Sequence, residues 1–326
     1  MFPPRGAAYG DARSKPIGRL MTDSPPPPPP VLILTPPGLP GQTLAAALGQ
    51  NPAGYDVPEL NLEQMDSVDQ LQRELIGIRG MQIIGLMRAI AQLYGGEQSG
   101  IAVEMARRWL NARAHLPTAH VARELVARVA PRRLIAPVTA ALFDRLAMKG
   151  LIRAFPDARW VHLTAHPVTY GRVLSASPAG EAALMLTGAI DESVAPSLPD
   201  PQELWLMVED TLAPVLAGLP PDRVSRVDAA RLAEDPQAVL ADLAGALEMP
   251  ADARAVSAMG HPERSVFAGP GPMGAPLPGQ IDTFAALAAR FGGSTPPRLE
   301  GVVPWRPDGT PLKPAVRARA TALGYA

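Results

Sequence analysis

The sequence predicts an α/β domain with a central parallel sheet flanked by helices and with a helical insertion. Three observations predict it. Val31–Leu34 is a short, continuous apolar run and Trp160–Leu163 reads as a second buried run, as expected of parallel strands covered on both faces. Each run leads through a turn into a helix-forming stretch, the order that parallel units require. The chain of 326 residues, 47% hydrophobic and 19% charged, can bury the core of one such domain with insertions.

Residues 1–30 are polar, broken by Pro and Gly, and close on the polyproline run Pro25–Pro30. The domain reading is therefore an unstructured Pro-rich tail over 1–30 and a main domain over 31–291. Within the main domain a helical cover spans 63–130, and a Pro-rich basic extension spans 292–326. No apolar stretch before the first strand has the length of a secretory signal, and none in the chain could span a bilayer, so a cytoplasmic protein is expected. A formal net charge of −1 argues against a general nucleic-acid or anionic-membrane binder. The chain has no cysteine, which excludes disulfides, thiolate metal sites and a Cys nucleophile and fits a reducing compartment. Its five histidines show no paired-ligand spacing, so no metal is expected.

The first strand runs into Pro36–Gly41, which can neither continue a strand nor enter a helix interior. From Thr43 the stretch TLAAALGQ reads as a helix, ended by Gly49 and Pro52. A strand, a glycine-bearing turn and a helix N-terminus together form a generic anion site, because free backbone N–H groups converge there with the helix dipole. The turn matches neither a Walker A loop nor a GxGxxG fingerprint, and an ordinary βα turn explains the pattern equally well.

Leu60–Ser67 reads as polar loop. Val68–Leu93 is helical with a break at Gly77 and Gly80, and Ile101–Ala114 and Thr118–Val129 are two more helices. Arg133–Ile135 is a short candidate strand, followed by a helix over Val138–Phe155. After Trp160–Leu163, Pro167 suits the first position of the next helix. Then come a helix over Pro201–Leu216, a strand over Arg223–Val227 and a helix opening at Asp235–Pro236. A long Gly/Pro loop over His261–Gln280 and a helix over Asp282–Phe291 complete the domain. Open parallel sheets bind ligands at the carboxyl ends of their strands, so the turns after Leu34 and Leu163 should line one crevice.

Four stretches, in this order, resemble the sulfotransferase family that uses 3′-phosphoadenosine-5′-phosphosulfate (PAPS), within it the bacterial branch associated with polyketide and lipid-like substrates. They are VLILTPPGLPGQTLAAALGQNP with VPELNL behind it, FPDARWVHLTAHP, RVDAARLAEDPQAVLADLAGALEMP, and FAGPGPMGAPLPGQID. The likeness covers Val31 to Phe284. It implies a P-loop-like sulfotransferase fold and transfer of a sulfuryl group from PAPS to a hydroxyl of a small or carrier-tethered acceptor. In that family a carboxylate deprotonates the acceptor. A basic side chain and backbone N–H groups of the first turn stabilise the leaving phosphate. An Arg and a Ser after the second strand hold the 3′-phosphate.

Carried over by the resemblance, Glu59 in VPELNL falls at the position of the general base. Gly41 and Thr43 match the first turn, with Gln42 between them completing the phosphate cradle. Arg172 and Ser175 are the nearest substitutes for the 3′-phosphate clamp. The chain departs from the family pattern elsewhere. Leu39 replaces the basic residue of the turn, and Pro40 removes a backbone N–H. Ala165 stands where the clamp Arg belongs, Val173 where the Ser belongs, and Ile135-Ala136-Pro137 where Lys-Ser-Pro is usual. Each lost charge-assisted contact is worth about 1.5–3 kcal/mol. Two alternatives therefore stand beside sulfuryl transfer: a non-catalytic binding or partner protein of the same fold, which implies a protein partner, and an enzyme that reuses the crevice for other chemistry.

Overall fold

The protein is described from a computed structural model over residues 25–271, 281–292 and 297–326. The expectations placed on residues 1–24 and on 272–280 of the Gly/Pro loop lie outside the described residues.

The chain opens with β1 (Val31–Leu34), α1 (Gly41–Gly49) and β2 (Gly54–Asp56). The helical stretch follows: α2 (Val68–Glu74), α3 (Ile84–Ile90), α4 (Gly100–Asn111) and α5 (Thr118–Val129). Next come β3 (Arg133–Val138), α6 (Arg145–Ala154), β4 (Arg159–Thr164), α7 (Pro167–Ser175) and α8 (Pro178–Thr187). A small antiparallel pair, β5 (Ile190–Asp191) and β6 (Leu198–Pro199), precedes α9 (Pro201–Ala217) and β7 (Val224–Asp228). The chain finishes with α10 (Ala229–Glu234), α11 (Pro236–Ala246), α12 (Ala253–Met259), α13 (Phe284–Phe291) and α14 (Pro314–Ala322).

The main sheet is parallel throughout, in the order β2-β3-β1-β4-β7. β1 sits at its centre and is buried at every residue, which is why its sequence is apolar without alternation. Helices cover both faces, and the core runs continuously from Val31 to Ala320.

One reading is corrected and two stretches are defined further. The helix expected over Val138–Phe155 begins only at Arg145, because β3 extends through Pro137 to Val138 and a 3-10 turn fills Ala140–Phe143. Proline is tolerated in β3 because β2 pairs only as far as Ile135, so nothing beside Pro137 on that side asks for an N–H. Gly54–Asp56 is an edge strand made by pairing with β3 rather than by its own propensity. The break in Val68–Leu93 is a 3-10 segment over Gly77–Ile83, followed by α3 and a π turn over Ala91–Gly95.

The C-terminal residues fold back onto the domain. Arg306 is buried among carboxylates, donating from Nη1 to Asp191 Oδ2 and Asp200 Oδ2 at 3.0 Å each and from Nη2 to Asp308 Oδ2 at 2.8 Å. Lys313 adds bonds to Asp191 and Glu203. This cluster fastens the segment leading to α14 onto β5 and the start of α9.

Candidate active site

The turn between β1 and α1 forms one wall of the site. Gly38 takes a φ of +83°, and a Cβ on Gly41 would lie 2.4 Å from the Thr35 side chain, so the turn closes tightly on itself. Gly41 donates its N–H to the Leu39 carbonyl at 3.0 Å. Gln42 and Thr43 stand in the first turn of α1, where N–H groups lack a helical partner, and no other described residue accepts from them. The Thr43 hydroxyl accepts from Asp282 N at 2.9 Å, tying the start of α1 to the residues before α13. Leu39 packs against the core.

The turn after β4 forms the second wall. His166 caps α7, its Nδ1 accepting from Val168 N at 3.2 Å. Burial lowers its pKa, against smaller upward pulls from the Ala326 backbone and Asp228. The turn is lined by aromatic rings. Trp205 Nε1 donates to the Ala165 carbonyl at 3.0 Å. Tyr325 meets the His166 ring edge-on at 5.4 Å between centroids and donates to Asp228 Oδ2 at 2.6 Å. Further along α7, Arg172 donates to the carbonyls of Gly292 (3.0 Å) and Phe291 (3.1 Å), at the end of α13. Ser175 is exposed on the last turn of α7.

Glu59 lies at the carboxyl end of β3, partly buried. Its Oε1 accepts from Thr139 N at 2.6 Å and Ala140 N at 3.0 Å. Thr139 follows Val138, whose carbonyl accepts from Thr35 N at 3.0 Å, so the Glu59 anchor and the turn opening toward α1 start side by side. Burial raises the Glu59 pKa, and the Ala140 and Thr139 hydrogen bonds pull it back. α3 presses on its backbone so closely that a Cβ on Gly85 would lie 2.1 Å from the Glu59 carbonyl oxygen.

A second carboxylate stands one helical turn further on. Glu63, in the 3-10 segment Leu62–Gln64, has its pKa raised to about 7, chiefly by burial and further by the charge of Glu59. Its Oε1 is buried with no hydrogen-bond partner, as is Gln64 Nε2, although the Gln64 amide lies near enough to pull the pKa down slightly.

No family model matches the chain, and no curated protein matches it in sequence. Its architecture does match solved structures. The sulfotransferase domain from the curacin biosynthetic pathway superposes with a TM-score of 0.69 at 18% identity, covering 92% of this chain and 98% of that one. The sulfotransferase domain from the Synechococcus PCC 7002 olefin synthase gives 0.66 at 21% identity, covering 93% and 97%. The chain has the sulfotransferase fold.

In this sulfotransferase fold the expected residues separate into two groups. Gly41, Gln42 and Thr43 open α1 beside β3, where Glu59 is anchored. Arg172 is engaged with the end of α13, and Ser175 faces solvent. Sequence reasoning missed Glu63, having placed it in a polar loop. The available signal was the pair of glutamates four residues apart in ELNLE, with Leu60 and Leu62 between them. Among the described residues no group of three His, Cys, Asp or Glu could hold a metal ion, and no helix is long and apolar enough to cross a membrane.

Proposed function

We propose that the protein transfers a sulfuryl group to a hydroxyl of a small or carrier-tethered acceptor, with Glu59 taking the hydroxyl proton. The observation behind this reading is Glu59 itself. Two backbone N–H groups hold its carboxylate beside the β1 turn, and burial makes it a stronger base than a solvated carboxylate. The two fold neighbours are sulfotransferase domains of a biosynthetic pathway and of a synthase, which supports an acceptor delivered by such machinery.

PAPS fits the residues on one side only. The N–H groups of Gln42 and Thr43 at the positive end of α1, from which no described residue accepts, suit its 5′-phosphosulfate. They do not extend to the 3′-phosphate, since residue 165 is Ala, Arg172 is bonded to carbonyls and Ser175 points to solvent. The donor, when bound, supplies the sulfuryl group and the leaving phosphate. This chain supplies the base at Glu59 and backbone donors at α1, and its donor affinity lacks at least one contact of about 1.5–3 kcal/mol.

A second reading, a non-catalytic binding protein of the same fold, is favoured by that engaged Arg172 and by Tyr325 seated against His166. Calorimetry with 3′-phosphoadenosine-5′-phosphate separates the two. Sulfuryl transfer expects weak, saturable binding, with turnover lost and binding kept in Glu59→Gln. No heat at millimolar nucleotide removes the transfer reading and leaves the second.

A further inference from the structure

A cavity of about 420 Å³ lies between one face of the sheet and helices α5 and α6. Its walls are Leu32, Leu60, Leu134, Ala136, Val138 and Phe155. Alternate residues of β3 line it, so it runs along that strand. Arg153, at the end of α6 just before β4, marks the amino-end level of the sheet, and Thr118, at the start of α5, marks the carboxyl-end level. The volume falls within the range of about 300–1,000 Å³ typical of small-molecule sites, far more than core packing leaves empty.

The polar groups facing this space are few. The Thr118 hydroxyl is satisfied, donating to the Met65 carbonyl at 2.6 Å. Asp66 and Arg153 are exposed at the margins. Glu63 is the remaining carboxyl-bearing residue of the lining, less exposed than Asp66.

We propose that this cavity binds an aliphatic chain ending in a hydroxyl, the chain lying along β3 and the hydroxyl meeting Glu63. The chemistry narrows the end group. A carboxylate would face Glu63 and, beyond it, Glu59, both of the same sign. An ammonium would have to shed its hydration to enter an apolar space. A hydroxyl is neutral and can donate to a carboxylate or accept from a carboxylic acid, so it suits a Glu63 whose pKa lies near 7 in either state. Binding here stands on the cavity alone. Only the further step, that such a hydroxyl is the acceptor used at Glu59, rests on the proposed transfer.

The test is calorimetry of the full chain at pH 8 without nucleotide, using 1-decanol and decanoate as probes, so a failed donor site does not affect it. Saturable binding of 1-decanol near one per chain, at least ten-fold tighter than decanoate, is expected. Gly150 lines the cavity, and a Cβ placed on it meets nothing within 4 Å. Gly150→Leu should therefore fold at least as well as the parent and weaken decanol binding ten-fold or more. Ala119→Leu fills the same space from α5 as a second check. Glu63→Gln should keep decanol within a few-fold and admit decanoate. Absence of saturable decanol binding, unchanged binding in both filled variants, or persistent exclusion of decanoate by Glu63→Gln would each overturn the assignment.

Discussion

Arg172 holds the last carbonyls of α13, its guanidinium donating to Gly292 at 3.0 Å and to Phe291 at 3.1 Å. The other end of that segment is fixed as well, through Asp282 N on the Thr43 hydroxyl. Residues 282–292 thus bridge the start of α1 and the body of α7. A residue that looked like a stand-in for a phosphate clamp works as a helix-end clamp.

Arg172→Ala should accordingly leave affinity for 3′-phosphoadenosine-5′-phosphate unchanged and lower stability by about 1 kcal/mol, the net worth of hydrogen bonds at an exposed site. Calorimetry and denaturant titration on the same preparation check both halves. A large loss of nucleotide affinity would return Arg172 to the donor site.

Two substitutions separate the structural role of Glu59 from the base role proposed for it. Glu59→Gln keeps an oxygen to accept from Thr139 N and Ala140 N but cannot take a proton, so stability should change little while turnover falls to background. Glu59→Ala strands both N–H groups and should cost about 1–3 kcal/mol of stability. Equal destabilisation by the two variants would argue against this division.

Leu39 is the place where a cation can be restored without disturbing a strand. Leu39→Lys is expected to tighten nucleotide binding about ten-fold or more, the worth of one charge-assisted contact. Calorimetry reads this directly, and an unchanged affinity would mean that the turn does not face the phosphate.

Stability should fall as pH rises from about 4 to neutrality. The Asp56 pKa is pushed up to about 6, chiefly by burial and against its hydrogen bond from Ser265, and that of Glu63 to about 7. A raised native pKa means that the folded state binds the proton more tightly than the unfolded chain. Stability is then greatest at the acid end, declines from about pH 4 through 6 for Asp56 and from about pH 4.5 through 7 for Glu63, and carries the whole penalty above that window. With each pKa unit worth about 1.4 kcal/mol, the effect is of the order of 2–3 kcal/mol per group. His166, whose pKa is lowered, pulls the other way near pH 6, so the clean readout is the difference between wild type and Glu63→Gln. The variant should lose the decline between pH 5 and 7, and parallel profiles would contradict it.

Arg306 should be the most costly single residue to truncate. Arg306→Ala leaves Asp200 buried without its cation and Asp191 with Lys313 alone, and removing one partner of such a cluster costs about 3–5 kcal/mol. Thermal melts of Arg306→Ala and of Arg306→Ala/Asp191→Asn/Asp200→Asn test this, with the triple variant expected to recover part of the loss.

The elements that could be read from the chain are those whose burial is complete or whose ends are marked. β1 is apolar because both faces are covered, β4 carries the same signal at Trp160, Val161 and Leu163, and α5 begins and ends where the Thr118–Val129 period does. What could not be read depends on distant partners. Gly54–Asp56 is a strand only because β3 lies beside it, and β3 accepts Pro137 only because β2 stops short. The Arg306 cluster joins residues 115 and 106 positions apart, beyond any local pattern. Of the candidate site, the α1 turn could be placed from its Pro and Gly residues, and Glu59 from its position in VPELNL. The empty space of the site could not, because the cavity beside Glu63 is bounded by Leu, Ala and Val that read as ordinary core.

Trp305 has its indole against Gly171, where a Cβ would lie 2.2 Å from the ring, and its Nε1 donates to Asp200 Oδ1 at 3.0 Å. The chain has four tryptophans, and Trp205 bonds the Ala165 carbonyl just before the same helix begins. α7 is therefore touched by two native fluorophores, one at its start and one at its middle. Any molecule that shifts this helix on entering the crevice announces itself in the emission spectrum of the unlabelled protein, and replacing either indole with Phe tells which contact has moved.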